Sequence, residues 1–236
     1  MKKKIVIKYG GVALKDSDFA EIEQVLKEGF QPIIIHGGGK EVTELSLQLG
    51  IRPLFKNGLR VTDSQTMDLV QMVLIGRVNT RLVASLQSKG LKAIGVSGFA
   101  RGVSAGADLG HVGNVESCDA QALEALCQKG YIPIVAPIAM GSDATIYNVN
   151  GDTFAAAVAI ALNADRLFLM TDVDGVYLDK NNSESKFTHL CADVAKSLVV
   201  QDGMIPKLKA AVLAIDKGVP SVLIGKSLES NTVVTA

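Results

Sequence analysis

The sequence has no tryptophan, and aromatic residues make up only 5% of it. A core built from this chain is therefore mostly aliphatic. Neither sign of charge is in excess: lysine plus arginine and aspartate plus glutamate each number 24. That balance argues against a general binder of nucleic acid or of anionic membranes, while leaving room for a local basic site. No uninterrupted apolar run approaches the roughly 18–20 residues that span a bilayer. The opening MKKKIVIKYGG is basic but lacks the apolar stretch and cleavage site of a signal peptide, and reads as the first strand of a cytoplasmic protein. Cysteine is scarce. Cys118, Cys127 and Cys191 are odd in number and widely spaced, which fits free thiols in a reducing compartment rather than a disulfide framework or a zinc site. His36, His111 and His189 include no pair at ligand spacing, so no dedicated metal site is expected.

What is present is alternation. Strand-like runs at residues 5–8, 32–36, 93–96, 132–136, 145–149, 167–170 and 219–224 interleave with helical patterns at 18–28, 40–49, 64–88, 120–129, 153–162, 193–200 and 205–217. The run at 219–224 is the last clear strand. Asn57-Gly58 marks a hairpin over residues 55–61, Asp63 is placed to cap the long helix that follows, and the glycine-rich stretch 101–115 reads as hairpins. The pattern predicts an α/β fold: a three-layer α/β/α sandwich with a mostly parallel central sheet. The 236 residues form one domain of two fused lobes, 1–163 and 164–236, with a soft boundary near Asn163.

In such folds ligands bind beyond the carboxyl ends of the strands. Four segments place glycine or polar residues there: KYGG (8–11), HGGG (36–39), YNVNGD (147–152) and TDVDG (171–175). There is no GxxxxGK[ST], so the chain is not a P-loop protein. HGGG running into a helix is a nest of amide N–H groups suited to phosphate or to a developing oxyanion. The esterase version of that motif needs a GxSxG elbow, and VSGFARG is not one. His36 itself reads as structural. Lys8 is either an edge lysine reaching water or a fixed cation in the cleft. Lys207 and Lys209 follow Pro206 near a helix start, where cations oppose the helix dipole, and such broken rules gather at functional sites. Two lysines from opposite ends of the chain could clamp a phosphoryl group. Asp152 reads as the N-cap of the apolar helix, or as a group that orients those lysines. Arg60 could grip a carboxylate bidentately or sit exposed in its hairpin. Asp172 and Asp174 fit turn positions and a nucleotide site equally.

The segments IKYGG, HGGG, NGLRVTD, DLGHVGNV, YNVNGD, TDVDGV and DGMIPKLKAA occur in this order. In that set and order the chain resembles the amino-acid kinase family over nearly its full length. KYGG and HGGG mark only the superfamily; NGLRVTD, LGHVG and DGM-x-x-K together are more specific. The resemblance implies transfer of the γ-phosphoryl group of ATP, with Mg²⁺, to the γ-carboxylate of N-acetyl-L-glutamate. Lys8 and Lys207 would stabilise the transferring group and Asp152 would hold both. Gly10, Gly11, Gly38 and Gly39 would supply amides to the phosphates and the reacting carboxylate. Arg60 and Asn148 would hold the acyl-amino acid. Asp172, Val173, Asp174, Gly175, Val176, Tyr177, Val199, Val200 and Gln201 would lie against the nucleotide. Mg²⁺ would be held largely by phosphate oxygens, so no protein ligand is expected.

The absence of a long segment before the first strand points, by the same resemblance, to an arginine-insensitive homodimer with the 64–88 helix as its interface. The tail ends SNTVVTA where the family pattern has G-T before a last strand, a departure at the edge of the nucleotide lobe. Within the family, carrier-bound α-aminoadipate or another small carboxylate is the competing substrate. Outside it stand a non-catalytic nucleotide sensor, disfavoured by the intact lysines and aspartate, and a dinucleotide-dependent oxidoreductase, which would want GxGxxG after the first strand.

Overall fold

The structure is a computed structural model and describes residues 2–10, 16–179, 181–198, 200 and 203–236. In chain order the elements are β1 (Lys3–Tyr9), α1 (Asp16–Lys27), β2 (Phe30–His36) and α2 (Gly39–Gln48), then a hairpin of β3 (Phe55–Lys56) and β4 (Leu59–Arg60). A long helix follows as α3 (Ser64–Gln71), a π-helical stretch (Met72–Asn79) and α4 (Thr80–Ser88). Next come β5 (Ala93–Val96), β6 (Ala100–Ser104), β7 (Val112–Cys118), α5 (Ala120–Gln128), β8 (Ile132–Val135), β9 (Ile138–Met140), β10 (Ile146–Val149) and α6 (Gly151–Ala161). The remainder is β11 (Arg166–Met170), β12 (Val176–Tyr177), β13 (Lys186–Phe187), β14 (His189–Cys191), α7 (Ala192–Ser197), α8 (Met204–Asp216), β15 (Val222–Gly225) and β16 (Asn231–Thr235).

An eight-stranded sheet in the order β14-β16-β15-β11-β1-β2-β8-β5 runs through the molecule. Its pairings are parallel except β15 with β16. Strand periodicity assigns the faces. Val6, Ile33 and Ile35 pack with α6 and α8 through Phe154, Val158, Leu208 and Ala211. Ile34 on the opposite face packs with Val42 of α2 and with Val70, Leu74, Val78 and Leu82 of the long helix. Ile5 and Ile7 meet Val25 of α1. The sheet is thus buried on both faces, which is why β2 reads as a continuous apolar run rather than an alternating one.

The long helix passes a length-and-composition test for a membrane span over Ser64–Ser88. Its Met67, Val70, Val73, Leu74, Val78, Leu82 and Leu86 lie inside the protein core, so it is a core helix here. The Asp63 side chain accepts from Thr66 N at 2.8 Å, as a capping residue should. The π-helical stretch was not expected: a hydrophobic period near 3.6 cannot report one widened turn.

Three other expectations are corrected. The helix expected at 193–200 ends at Ser197. Val222–Gly225 is not the last strand, because β16 follows and pairs with both β15 and β14. The stretch 101–115 does form a hairpin, β6 with β7, but β9 and β10 join it to make a small four-stranded barrel. The three cysteines are free, and burial raises the Cys118 and Cys127 thiols to about 11.

Candidate active site

Parallel pairing brings the carboxyl ends of β1, β2 and β11 to one edge. Lys8 stands opposite Ile35 and Leu169 in register, and Tyr9 opposite His36. The Lys8 ammonium lies 3.2 Å from Asp152 Oδ1. Lys207, from the first turn of α8, donates to both carboxylate oxygens of Asp152 at 3.1 Å. All three side chains are largely buried. Burial, reinforced by the charge of Lys8, lowers the Lys207 pKa from its ordinary value, against the pull of Asp152. Two ammonium groups share one carboxylate, so the cluster is one negative charge short of balance. In a poorly solvated place that shortage favours an arriving anion.

Asp152 is not the N-cap of α6. Asn150 is: its Oδ1 accepts from Asp152 N at 2.9 Å and from Thr153 N at 3.2 Å. The correction matters chemically, because a capping carboxylate would be turned onto its own helix. With Asn150 capping, the Asp152 carboxylate is free to hold the lysines. Gly151 completes the arrangement, since a Cβ there would sit 3.3 Å from Lys8 Cε.

Beside this cluster opens a cavity of about 180 Å³ lined by Gly37, Gly38, Gly39, Arg60, Asn148 and Gly151, with apolar walls from Val42, Phe55, Leu74 and Val112. Gly37 N closes the β1–β2 ladder on Tyr9 O at 2.9 Å. Gly38 has φ 144°, and a Cβ on it would lie 2.5 Å from Leu74 Cδ2, so only glycine fits. The first amides of α2 have no partner in their own helix and face outward from its positive end.

Arg60 is buried, not exposed in its hairpin. Asn57 and Gly58, both with positive φ, form the tight turn that returns the strand. Arg60 Nη2 donates to Gly39 O at 2.8 Å and to Thr43 Oγ1 at 2.7 Å. Its guanidinium carbon lies 4.8 Å from the Phe55 ring centre. Among the described residues Nη1, also buried, has no partner. An unpaired buried donor costs about 1–3 kcal/mol, so this nitrogen is waiting for an acceptor. Asn148 lines the same cavity, its Nδ2 held by Thr62 Oγ1 at 3.3 Å.

The sequence model described as the amino acid kinase family matches residues 3–226. The chain belongs to the amino acid kinase family. The acetylglutamate kinase of Kosmotoga olearia is 42% identical to it over 231 residues, covering 93% of this chain and 82% of that one. The acetylglutamate kinase of Methanopyrus kandleri is 42% identical over 228 residues, covering 90% and 91%. Among solved structures, the smu.665 protein of Streptococcus mutans UA159 superposes with a TM-score of 0.90 at 31% identity and covers all of both chains.

Within this amino acid kinase the expected residues that directly follow β11 lie on the side of β1 away from β2. Gly10 follows β1, where a Cβ would lie 3.9 Å from Met170 O of β11. Asp172, Val173, Asp174 and Gly175 form the bend after β11. Asp174 pairs with Lys186 at 3.1 Å and accepts from the Tyr177 hydroxyl, and these hydrogen bonds hold its carboxyl below the usual range. Val176 is fully buried, and its amide donates to Thr232 Oγ1 at 2.8 Å. Val200 is half-buried against the core. Gly11, Val199 and Gln201 lie outside the described residues. Among the described residues no group of three or more His, Cys, Asp or Glu side chains could hold a metal ion. Sequence reasoning missed Asn150, Gly151 and Thr232. The N-G-D triplet could have disclosed the first two, because asparagine two residues ahead of an aspartate is the better-placed cap.

Proposed function

We propose that this kinase transfers the γ-phosphoryl group of ATP to the γ-carboxylate of N-acetyl-L-glutamate, giving an acyl phosphate and ADP. The observation that carries the reading is the Lys8–Asp152–Lys207 cluster at the rim of a cavity holding the unpartnered Arg60 Nη1. A carboxylate oxygen of the acceptor attacks the γ-phosphorus, and the bond to the β,γ-bridging oxygen breaks, its electrons leaving with ADP. No base is required, because the acceptor is already ionised at neutral pH. The chain's work is to place both substrates and to meet negative charge on the moving group. Lys8, Lys207 and the amides of Gly38 and Gly39 do this. Arg60 Nη1 and Asn148 hold the α-carboxylate side of the acceptor. Among the described residues the cavity lining has no acidic side chain, so a free α-ammonium would be buried without a counter-charge, whereas an acylated nitrogen would not. The acetylglutamate kinases at 42% identity support the same choice.

Gly10, Gly11, residues 172–177 and residues 199–201 are assigned to the nucleotide. Mg²⁺, bound chiefly by phosphate oxygens, would neutralise charge on the leaving diphosphate. Residues 1–163 would then serve as the acceptor lobe and 164–236 as the nucleotide lobe. We also infer a cytoplasmic homodimer joined through the long helix, whose Met72, Gly76, Thr80 and Ala84 form an exposed row of mostly small residues at four-residue spacing. The test is an ATP-dependent assay with N-acetylglutamate, glutamate, aspartate and α-aminoadipate, trapping acyl phosphate with hydroxylamine. Turnover of N-acetylglutamate alone is expected. Turnover of none by folded protein with Mg²⁺ would sink the reading, and preference for aminoadipate would move it to another carboxylate.

A further inference from the structure

His36 is fully buried next to the glycine nest, yet phosphoryl transfer as described makes no use of it. Its ring nitrogens form a chain with defined ends. Nδ1 lies 2.7 Å from Gly37 O. Nε2 lies 3.2 Å from Asn79 Nδ2, and the same Nδ2 lies 2.8 Å from Ile134 O. Both ends of the chain are carbonyl oxygens, which only accept. The amide group of Asn79 therefore gives one hydrogen to Ile134 and the other to His36 Nε2. Nε2 must then be bare, and Nδ1 must carry the proton that it donates to Gly37 O. Burial, which lowers the His36 pKa to about 4, keeps the ring neutral and this tautomer intact. Gly95 makes room for the arrangement: a Cβ there would lie 2.1 Å from Asn79 Oδ1.

The consequence lies in the Gly37–Gly38 peptide. It is trans and planar, so its carbonyl and its N–H point in opposite directions. A carbonyl tied back to the His36 ring turns the Gly38 N–H the other way, toward the cavity that Gly37 and Gly38 line. Glycines on both sides leave this peptide free to rotate by half a turn, which would present an oxygen to an incoming anion instead of a hydrogen. We propose that His36, in the tautomer set by Asn79, is a positioning residue that fixes the direction of the Gly38 amide and so the sign of the nest. The proposal rests on the phosphoryl-transfer reading for its kinetic effect, but not for its geometry.

The test has a structural and a kinetic arm. Nitrogen-15 NMR of histidine-labelled, unmodified protein reads the tautomer directly. The expected result is a neutral His36 protonated on Nδ1 between about pH 6 and 8; protonation on Nε2 overturns the proposal whatever the enzyme acts on. His36→Phe, which keeps the ring volume without a donor, is expected to lower kcat for the preferred carboxylate by about tenfold to a hundredfold, with a smaller change in KM. His36→Asn, which can again donate to Gly37 O, is expected to recover part of that loss. Asn79→Leu, with His36 intact, should give mixed tautomers and an intermediate kcat. A folded His36→Phe protein with undiminished kcat overturns the proposal. Should that variant not fold, Asn79→Leu and the tautomer measurement decide it alone. Absence of turnover in the unmodified protein would count against the functional reading and leave the tautomer result standing.

Discussion

At the scale of single residues, charge bookkeeping around Asp152 sets the expectations. Replacing Lys207 by alanine leaves Asp152 still paired with Lys8, so no buried charge is orphaned and the fold survives. Loss of one of two cations facing the phosphoryl group is expected to lower kcat by roughly 10²–10³, with nucleotide affinity changed far less; equal losses in both would contradict the assigned role. Gly151→Ala is a subtler probe. Alanine suits the first turn of a helix, and the Cβ would press on the flexible Lys8 Cε at 3.3 Å, with ordinary contact to His36 O at 3.9 Å. Thermal stability should be unchanged while kcat falls by about tenfold, because small displacements of a reacting-site group are costly. Arg60→Lys keeps the charge but cannot both hold Gly39 O with Thr43 Oγ1 and present a second nitrogen to a ligand. Its KM for the acceptor should rise by about tenfold to a hundredfold with KM for ATP steady. Lys8, Lys207 and Arg60 could be singled out from the sequence as candidates, and Asn148 through the resemblance alone. What could not be read was their state: whether Arg60 was exposed or buried depends on Gly39, Thr43 and Phe55 closing round it.

At the scale of elements, the long helix and the strand-to-helix turn after β2 act as one piece. Leu74 and Val78 press on Gly38, and Asn79 holds His36. The neutral His36 has a measurable thermodynamic signature. Its pKa is lowered from 6.5 to about 4 in the folded protein. Between those values the unfolded chain binds a proton that the folded one refuses, so stability rises with pH and is lost as pH falls. Going from about pH 7 to about pH 4.5 should cost the unmodified protein about 2 kcal/mol more than His36→Asn, measured by urea unfolding at both pH values. Equal losses would mean that the ring is protonated when folded. Helix and strand positions were legible where apolar residues were dense, as in the continuous runs of β2 and α6. The short strands β9, β14 and β16 were not, because a few residues carry no period and exist only through their partners. Of the two readings left open for Asp152, the cap failed for a like reason and the lysine partner held: both it and Asn150 suit a cap, and Asn150 takes that place.

At the scale of the molecule, the sheet and its two helical layers followed from alternation alone, whereas the four-stranded barrel did not. β6 with β7 and β9 with β10 are local hairpins, but the pairings that close the barrel, β10 with β7 and β6 with β9, join strands distant in sequence. The barrel supplies Val112 and Asn148 to the cavity, so that wall of the cavity was less legible in the sequence than the strand ends of the sheet. The exposed side of the long helix belongs to this scale too. Met72, 58% exposed, is the largest apolar side chain of the exposed row at the proposed dimer contact. Met72→Asp is expected to convert a dimer to a monomer in light scattering behind a sizing column, since a buried unpaired carboxylate costs several kcal/mol. A monomeric unmodified protein, or a Met72→Asp dimer of unchanged affinity, would remove this helix from consideration.

The sheet order carries a consequence for how the chain reaches its native state. β16 comes after β14 and β15 in the chain but lies between them, parallel to one and antiparallel to the other. During synthesis from the N-terminus, β14 and β15 therefore emerge with facing edges unpaired, and remain so until residues 231–235 arrive to be threaded between them. Open edges of that kind are sites of aberrant pairing with other chains. The same late strand carries Thr232, which ties down Val176, so the loop assigned to the nucleotide is finished only at that final insertion. A ribosome stalled before β16 should hold a chain whose Lys8, Asp152 and Lys207 have already been made, yet whose nucleotide side is incomplete and whose sheet is open to chaperones.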